Sequence, residues 1–171
     1  MNKKLVGIIV LVSALSLSAC GGKKAETAST TTDNSTAAAT AAATGGFDSA
    51  LDLGGGVSLT VSAPKSFVPG QFASNYVKGQ AANSFDVTVK NGGTTELDPS
   101  TILIETASGA NTCTDVLDGD NGIAGAPTDS IAAGAQISFK FAVACDAKAG
   151  DALHVNVAVG SGSASIDGKI A

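Results

Sequence analysis

The three cysteines, Cys20, Cys113 and Cys145, are the side chains of this chain best equipped for covalent or metal chemistry. A thiolate can act as a nucleophile or a metal ligand, and two thiols can form a disulfide. Because three is an odd number, at least one cysteine lacks a disulfide partner within the chain. Cys20 differs from the other two in that it closely follows a long apolar run near the N-terminus. We therefore expect Cys20 to have a role of its own.

The segment before Cys20 has the three parts of an export signal. Residues 1–4 (MNKK) are basic, residues 5–17 (LVGIIVLVSALSL) are apolar, and two small residues follow. The apolar part is shorter than the ~20 residues that a bilayer-spanning helix needs. The sequence therefore predicts a signal peptide over residues 1–19.

The residues Leu17 to Cys20 (LSAC), followed by Gly21, resemble the bacterial lipobox. The resemblance implies that a diacylglycerol is attached to the Cys20 sulfur and that a lipoprotein signal peptidase cuts before it. It also allows acylation of the new amine, by palmitate for example. The alternative is an ordinary secretory signal with a chance cysteine near its end. Because two or three acyl chains anchor far more firmly than one, we expect a lipid-anchored protein at the extracytoplasmic face of the cell membrane.

Cys113 and Cys145 are then left as a pair. Exported proteins meet an oxidising environment, in which disulfide formation is the default. Cys145 also continues the inward-facing positions of the apolar run that precedes it. The alternatives are a redox-active thiol pair or a soft-metal site, but the spacing is not CxxC and His154 is the one histidine that could assist. We expect a structural disulfide.

The segment DVLDGDNG, residues 115–122, contains the best candidates for a cation site, Asp118, Asp120 and Asn121. An EF-hand loop that started at Asp118 would need glycine at its sixth position and glutamate at its twelfth. Ile123 and Asp129 stand at those positions. We therefore expect a glycine-rich loop or hairpin, and neither a metal site nor a bound cofactor.

Signatures of catalysis are missing from the sequence. His154 falls on the polar face of a predicted strand, no GxSxG motif is present, and GSGSAS from Gly160 lacks the third glycine and the helix of a dinucleotide fingerprint. Only two glutamates, Glu96 and Glu105, lie after residue 46, and most aspartates stand beside turn residues. The sequence therefore predicts a protein that is not an enzyme.

The charge of the chain argues against a nucleic-acid partner. Ten lysines and no arginine stand against fifteen acidic residues, a formal net charge of −5. Cleavage before Cys20 would remove two lysines, leaving eight positive against fifteen negative side chains and a net charge of −7. Because phosphate-binding surfaces need clustered Lys and Arg, we expect no nucleic-acid partner. The same lack of basic clusters leaves no patch for anionic lipid head groups, so we expect membrane contact through the lipid alone.

Residues 20–46 have the composition of a tether. The stretch after Cys20, GGKKAETASTTTDNSTAAATAAATGG, contains no large apolar side chain. Such a segment buries too little surface to offset the entropy of ordering, so we expect a disordered low-complexity linker of alanine and threonine. Its Ser and Thr residues permit O-glycosylation.

Residues 47–171 predict one all-β domain. Apolar and polar residues alternate in VSLTVSA, FDVTVK, TILIETA, ISFKFAV, LHVNVAV and ASIDGKIA. Period-two alternation is typical of half-buried antiparallel strands, and Asn and Asp beside Gly mark turns between them. About seven short strands favour an immunoglobulin-like antiparallel β-sandwich. The chain has no tryptophan, so the term applies only to the architecture.

Three segments, VSAPKSFVPG, SFDVTVKNGGTTELDPSTILIETASG and DSIAAGAQISFKFAVACD, resemble an Ig-like extracellular domain of Gram-positive, especially actinobacterial, surface lipoproteins. The resemblance covers roughly residues 57–159. It implies a β-sandwich at the cell surface. Because members of this group share no catalytic residues and are largely of unknown function, it implies nothing about an activity.

These features predict a membrane-anchored surface lipoprotein whose domain acts as a non-enzymatic module for adhesion, interaction or envelope assembly. Its partners would be the membrane and an envelope or extracellular macromolecule. The alternative is a lipoprotein that captures a solute or metal for an importer, which needs a concave apolar pocket. A deep cavity lined by Phe67, Phe72, Tyr76 or the Asp118 loop would favour that alternative.

Overall fold

The structure, a computed structural model, describes residues 41–171. The predicted signal peptide, Cys20 and most of the predicted tether lie outside the described residues. The strands are β1 (Ala43–Gly46), β2 (Ala50–Gly54), β3 (Val57–Val61), β4 (Lys65–Ser66), β5 (Ala81–Asn91), β6 (Leu103–Ser108), β7 (Asn111–Thr112), β8 (Thr114–Asp115), β9 (Gln136–Cys145), β10 (Ala152–Val159) and β11 (Gly162–Lys169). Two short 3₁₀ turns, Pro99–Thr101 and Gly119–Asn121, complete the regular structure of residues 41–171.

The strands form two sheets that pack face to face. The first sheet has the order β1-β11-β10-β6-β7 and the second the order β2-β3-β5-β9-β8, with β4 also paired to β5. All strand pairs within the described residues are antiparallel except that of β1 with β11, which is parallel. This arrangement confirms the predicted all-β sandwich. Seven of the strands have five or more residues, in agreement with the predicted number, and the other four are short.

Alternating side chains from both sheets fill one main core. Val87 and Val89 of β5 are fully buried, and Val155 and Val157 of β10 face them from the other sheet. The polar residues between them point outward, as the sequence pattern predicts. Strand β2 was not among the predicted strands. It forms a hairpin with β3 across three consecutive glycines, all with positive φ.

The folded domain begins earlier than residue 47. Residues 43–46, assigned to the disordered tether from their composition, form β1 and pair with Ala164 to Asp167 of β11. The predicted boundary is therefore four residues too late. The pairing uses main-chain hydrogen bonds, so it needs no large apolar side chain in β1. Small residues suit the position, because a Cβ on Gly45 would collide with the side chain of Leu51.

Loops cover part of the outer face of the second sheet and form a smaller core there. Ala142 and Ala144 of β9 point outward yet are fully buried. Val116 and Ile123 pack on them, together with the partly buried Phe67, Ala73 and Tyr76. The alternation of more and less buried residues along β9 therefore ends near its C-terminus, where both faces of the strand are covered.

The structure contains the predicted disulfide between Cys113 and Cys145. Cys145 ends β9, and Cys113 lies between β7 of the first sheet and β8 of the second. Both cysteines belong to the main core. The bond therefore fixes the place at which the chain crosses from one sheet to the other.

Candidate functional site

The margin of the sandwich next to this crossing has a gap between the two sheets. We call it the open side and define it by residues 102–107 around β6, residues 113–117, and Phe139 and Phe141 of β9. Two clefts lie along it, one of 630 Å³ and one of 430 Å³. Ile104, Glu105 and Asp115 line both clefts, so the two form adjoining parts of one surface.

The gap exists because β7 is too short to cover the edge of β6. Within the described residues, β7 pairs only with Ala107 and Ser108 of β6. The Cys113 N–H then donates a hydrogen bond of 2.9 Å to the Thr106 carbonyl. Beyond Cys113 the chain crosses to the second sheet. Hydrogen-bonding groups alternate between the two edges of a strand. The main-chain groups of Ile104 therefore point, like those of Thr106, away from β10 and toward the gap.

The 430 Å³ cleft is largely apolar. Its walls come from the end of one sheet and the outer loops of the other, and they include Ile102, Leu103, Ile104, Val116, Leu117, Ile123, Phe139 and Phe141. Leu103 is 64% exposed and Leu117 is 46% exposed. Large apolar side chains that remain exposed beside a concave apolar surface are typical of binding sites.

The 630 Å³ cleft adds polar and acidic groups to the same margin. It is lined by Glu105 and Asp115 and by Thr106, whose Oγ1 is buried and has no hydrogen-bond partner among the described residues. The Asp115 residue reaches solvent, but neighbouring protein atoms partly desolvate its carboxyl group. This burial raises the pKa of Asp115. A positive charge brought to this position would act in the opposite direction and favour the carboxylate.

The predicted cation candidates lie in a loop beside the open side. Asp118 is buried, and its Oδ2 accepts hydrogen bonds from the Gly70 N–H at 2.8 Å and the Asn121 side-chain amide at 2.7 Å. These donors lower the pKa of Asp118. Asp118 thus ties the segment around Gly70 to the 3₁₀ turn at residues 119–121. Asp120 lies close by, since a Cβ on Gly70 would stand 2.9 Å from its Oδ2.

This arrangement assigns Asp118 a structural role. Residues 41–171 contain no group of three or more His, Cys, Asp or Glu side chains that could hold a metal ion.

In the same part of the chain, we find no helix with the length and apolar character needed to cross a membrane.

A second constellation lies on the outer face of the first sheet and was not recognised in the sequence. His154 Nδ1 is 2.7 Å from Asp167 Oδ1, and His154 Nε2 is 3.4 Å from Ser165 Oγ. When Nδ1 carries the proton and donates to Asp167, Nε2 can accept from the serine hydroxyl, as in a Ser-His-Asp triad. Counting back from the Gly160-Ser161 turn of the β10–β11 hairpin would have revealed this pairing.

The surroundings of Ser165 do not favour acyl-transfer chemistry. Triads depend on preorganised donors for the developing oxyanion. Ser165 lies in mid-strand, where β11 pairs with β10 on one side and β1 on the other, so the nearby main-chain N–H groups are engaged in the sheet. The side chain of Asp167 is also 82% exposed, whereas the aspartate that orients a catalytic histidine is buried. The three residues are best described as a surface hydrogen-bond network.

The aromatic residues considered for a capture pocket lie elsewhere. Phe67 and Tyr76 pack on the smaller core, and Phe72 is 79% exposed. Neither cleft of the open side is lined by any of the three. The loop that contains Asp118 contributes its neighbours Leu117 and Ile123 to the apolar cleft. Sequence reasoning missed the clefts because their walls come from segments far apart in the chain.

Comparison with known proteins gives a result on the fold. No protein-family model matches the chain, and no curated protein matches it. Among solved structures, YcdA, a predicted lipoprotein of Bacillus subtilis, is similar with a TM-score of 0.56 and 14% identity; the match covers 68% of this chain and 37% of YcdA.

An uncharacterised β-sandwich protein of Clostridium difficile aligns with a TM-score of 0.45 and 11% identity, over 74% of this chain and 94% of that protein. At 14% identity, the similarity to YcdA bears on the fold alone.

Proposed function

We propose that this protein is a lipid-anchored surface lipoprotein whose β-sandwich binds a macromolecule of the cell envelope or its surroundings without catalysing a reaction. The observation behind the proposal is the open side, where an apolar cleft, a free strand edge and exposed leucines lie together. Apolar surface in contact with water costs free energy, and exposed apolar patches of this kind are typical of interaction sites.

The anchor is part of the proposal. The sequence LSAC before Gly21 supports lipidation of Cys20, and YcdA, one of the structural neighbours, is itself a predicted lipoprotein. Membership of the Gram-positive, actinobacterial-type surface lipoproteins belongs to the same proposal. An anchored protein with a linker before the folded domain would present the open side to partners near the membrane.

Site-specific photo-crosslinking in intact cells tests this function. A benzoyl-phenylalanine at Leu117 of the full anchored protein samples the open side, and the same residue at Asp52 of β2 serves as the matched control. Both positions are exposed. We expect a discrete crosslinked species at position 117 and none at position 52. Identical patterns, or no crosslink at either position, would contradict the proposed role.

Capture of a small apolar solute is the second candidate, because the volume of 430 Å³ falls in the range of small-molecule pockets. The two functions differ in what stabilises the protein. A solute that binds only the native state raises the melting temperature by mass action. A reproducible upward shift with a small apolar solute, abolished by Leu117→Asp, would favour capture over the interaction role.

A further inference from the structure

We propose that the open side binds an extended polypeptide segment with alternating apolar and basic side chains, which adds as a strand to the free edge of β6. This inference deepens the interaction role proposed above and rests on it. The proposal specifies both the conformation and the charge of the partner.

The first argument concerns the main chain. Within the described part of the chain, β6 is paired with β10 from Leu103 to Ala107, whereas β7 covers only its last two residues. The main-chain N–H and C=O of Ile104 therefore face the gap. An extended segment that lies along this edge can exchange hydrogen bonds with them, the mode by which peptides add to exposed sheet edges.

The second argument concerns the side chains of the added strand. Successive side chains of a strand point to opposite faces of the sheet. On β6, Ile104 and Thr106 point inward, while Leu103 and Glu105 point outward. An added strand would thus place every second side chain in the apolar cleft, beside Phe139 and Ile104. Its other side chains would stand next to Glu105.

The third argument concerns charge. Glu105 and Asp115 are the two acidic residues that line both clefts, and within residues 41–171 neither makes an ion pair. The partly desolvated Asp115 carboxyl has a raised pKa. Because an opposite charge within a few ångströms favours the ionised form, a lysine or arginine of the partner would relieve this cost. The formal net charge of −5 adds general attraction for a basic segment.

The fourth argument is an unsatisfied group. Thr106 is 3% exposed and its Oγ1 has no partner among the described residues, although it lines the 630 Å³ cleft. Buried polar atoms in native proteins usually have a hydrogen-bond partner. A polar atom of a bound segment could supply one if the Thr106 side chain turned toward the cleft.

A set of labelled peptides tests the inference by fluorescence anisotropy. The protein is the chain of residues 20–171 with Cys20→Ser, so that no lipid interferes. The probes are an eight-residue peptide of alternating valine and lysine, its valine and glutamate counterpart, and the lysine peptide with alternate main-chain nitrogens methylated. We expect the lysine peptide to bind at least about tenfold more tightly than either of the others.

The variant Glu105→Gln/Asp115→Asn tests the acidic pair, and Glu96→Gln/Asp129→Asn is the control with the same change of net charge at exposed positions elsewhere. We expect the first pair to weaken binding of the lysine peptide about tenfold and the control to change it less than twofold. Equal losses would overturn the assignment of the partner's charge to this site. Equal binding of the methylated peptide, or no binding of the lysine peptide, would overturn strand addition.

The two proposals fail in different experiments. If the peptides do not bind but position 117 still crosslinks to a partner in cells, strand addition by a basic segment is wrong and the interaction role stands. If position 117 gives no crosslink, the interaction role itself is wrong.

Discussion

The two margins of the sandwich are built in opposite ways. Where β1 and β11 approach β2, glycines allow the two sheets to touch, since a Cβ on Gly162 would collide with the Leu53 main chain and one on Gly168 with the Phe47 ring. We call this margin the closed side. At the open side, Leu103 and Leu117 remain exposed beside a cleft of 430 Å³.

Under the proposed function, the two margins separate stability from binding. A position that forbids a Cβ leaves no space for a ligand, so the closed side can only hold the sheets together. Among residues 41–171, the open side leaves part of the β6 edge unpaired and apolar side chains in water, which contributes little to stability and fits the proposed interaction role. Substitutions at the closed side should therefore change stability, and those of the exposed side chains at the open side should change binding.

The disulfide at the open side joins two cysteines of the main core. Its loss should have the largest effect on the free energy of unfolding. Closing a loop between Cys113 and Cys145 is expected to stabilise the fold by about 3–4 kcal/mol in the chain-entropy model. The variant Cys113→Ser/Cys145→Ser should lose a free energy of this order in urea unfolding, and the reduced wild-type protein should match it. Unfolding midpoints that do not depend on reduction would contradict this prediction.

At the closed side, Gly162→Ala should be the next most damaging change. The new Cβ would stand 2.7 Å from the Leu53 Cβ and clash with the main chain, which cannot move as easily as a side-chain end. Overpacking of this kind costs about 1–3 kcal/mol, measured as the free energy of unfolding in urea. Gly46→Ala is the matched control on the same margin, because a Cβ there meets nothing within 4 Å. Equal effects of the two substitutions would show that the closed side is not tightly packed.

The Asp118 loop, at the rim of the open side, should make stability depend on pH. Hydrogen bonds from the Gly70 N–H and the Asn121 amide lower the pKa of Asp118 in the folded protein. A group of this kind stabilises the fold above its unfolded pKa, about 3.9, and loses that contribution as the pH falls through the folded value.

Asn121→Ala removes one of the donors, so the loss of stability between pH 7 and strongly acidic pH should be smaller than in the wild type. Urea midpoints across this range measure both losses. A variant that loses as much stability on acidification as the wild type would show that the hydrogen bonds to Asp118 do not act in this way.

The smallest effect on stability is expected at the open side. Leu103→Ser exchanges a largely exposed side chain, and surface substitutions of this kind usually stay within about 0.5 kcal/mol. The same variant should bind the valine and lysine peptide more weakly, because Leu103 lines the apolar cleft. A large loss of stability with unchanged binding would reverse the roles assigned to the two margins.

The sequence predicted what depends on local pattern. Alternation along β5 and β10 identified the core face, because inward positions of a strand repeat every second residue. The position of Cys145 on the inward face and its pairing with Cys113 also followed from parity and compartment. The strand β1 escaped prediction because its residues contribute main-chain pairing rather than apolar side chains.

The features that depend on long-range contacts could not be predicted. The clefts arise because β7 ends early and the chain crosses to the other sheet at Cys113. No local sequence pattern predicts this crossing. The carboxylate of Asp118 is engaged by Gly70, which lies 48 positions away. His154, Ser165 and Asp167 meet only through the register of a hairpin, and that register could have been counted from its turn.

Amide hydrogen exchange at Ile104 tests the central claim most directly, because the claim is that this main-chain N–H faces an unfilled strand position. In the free protein of residues 20–171, we expect the Ile104 amide to exchange much faster than that of Ile166, which lies in β11 between two paired strands. Saturation with the valine and lysine peptide should slow exchange at Ile104 and leave Ile166 unchanged. An Ile104 amide that is already as protected as Ile166 in the free protein, or that the bound peptide does not protect, would contradict the account.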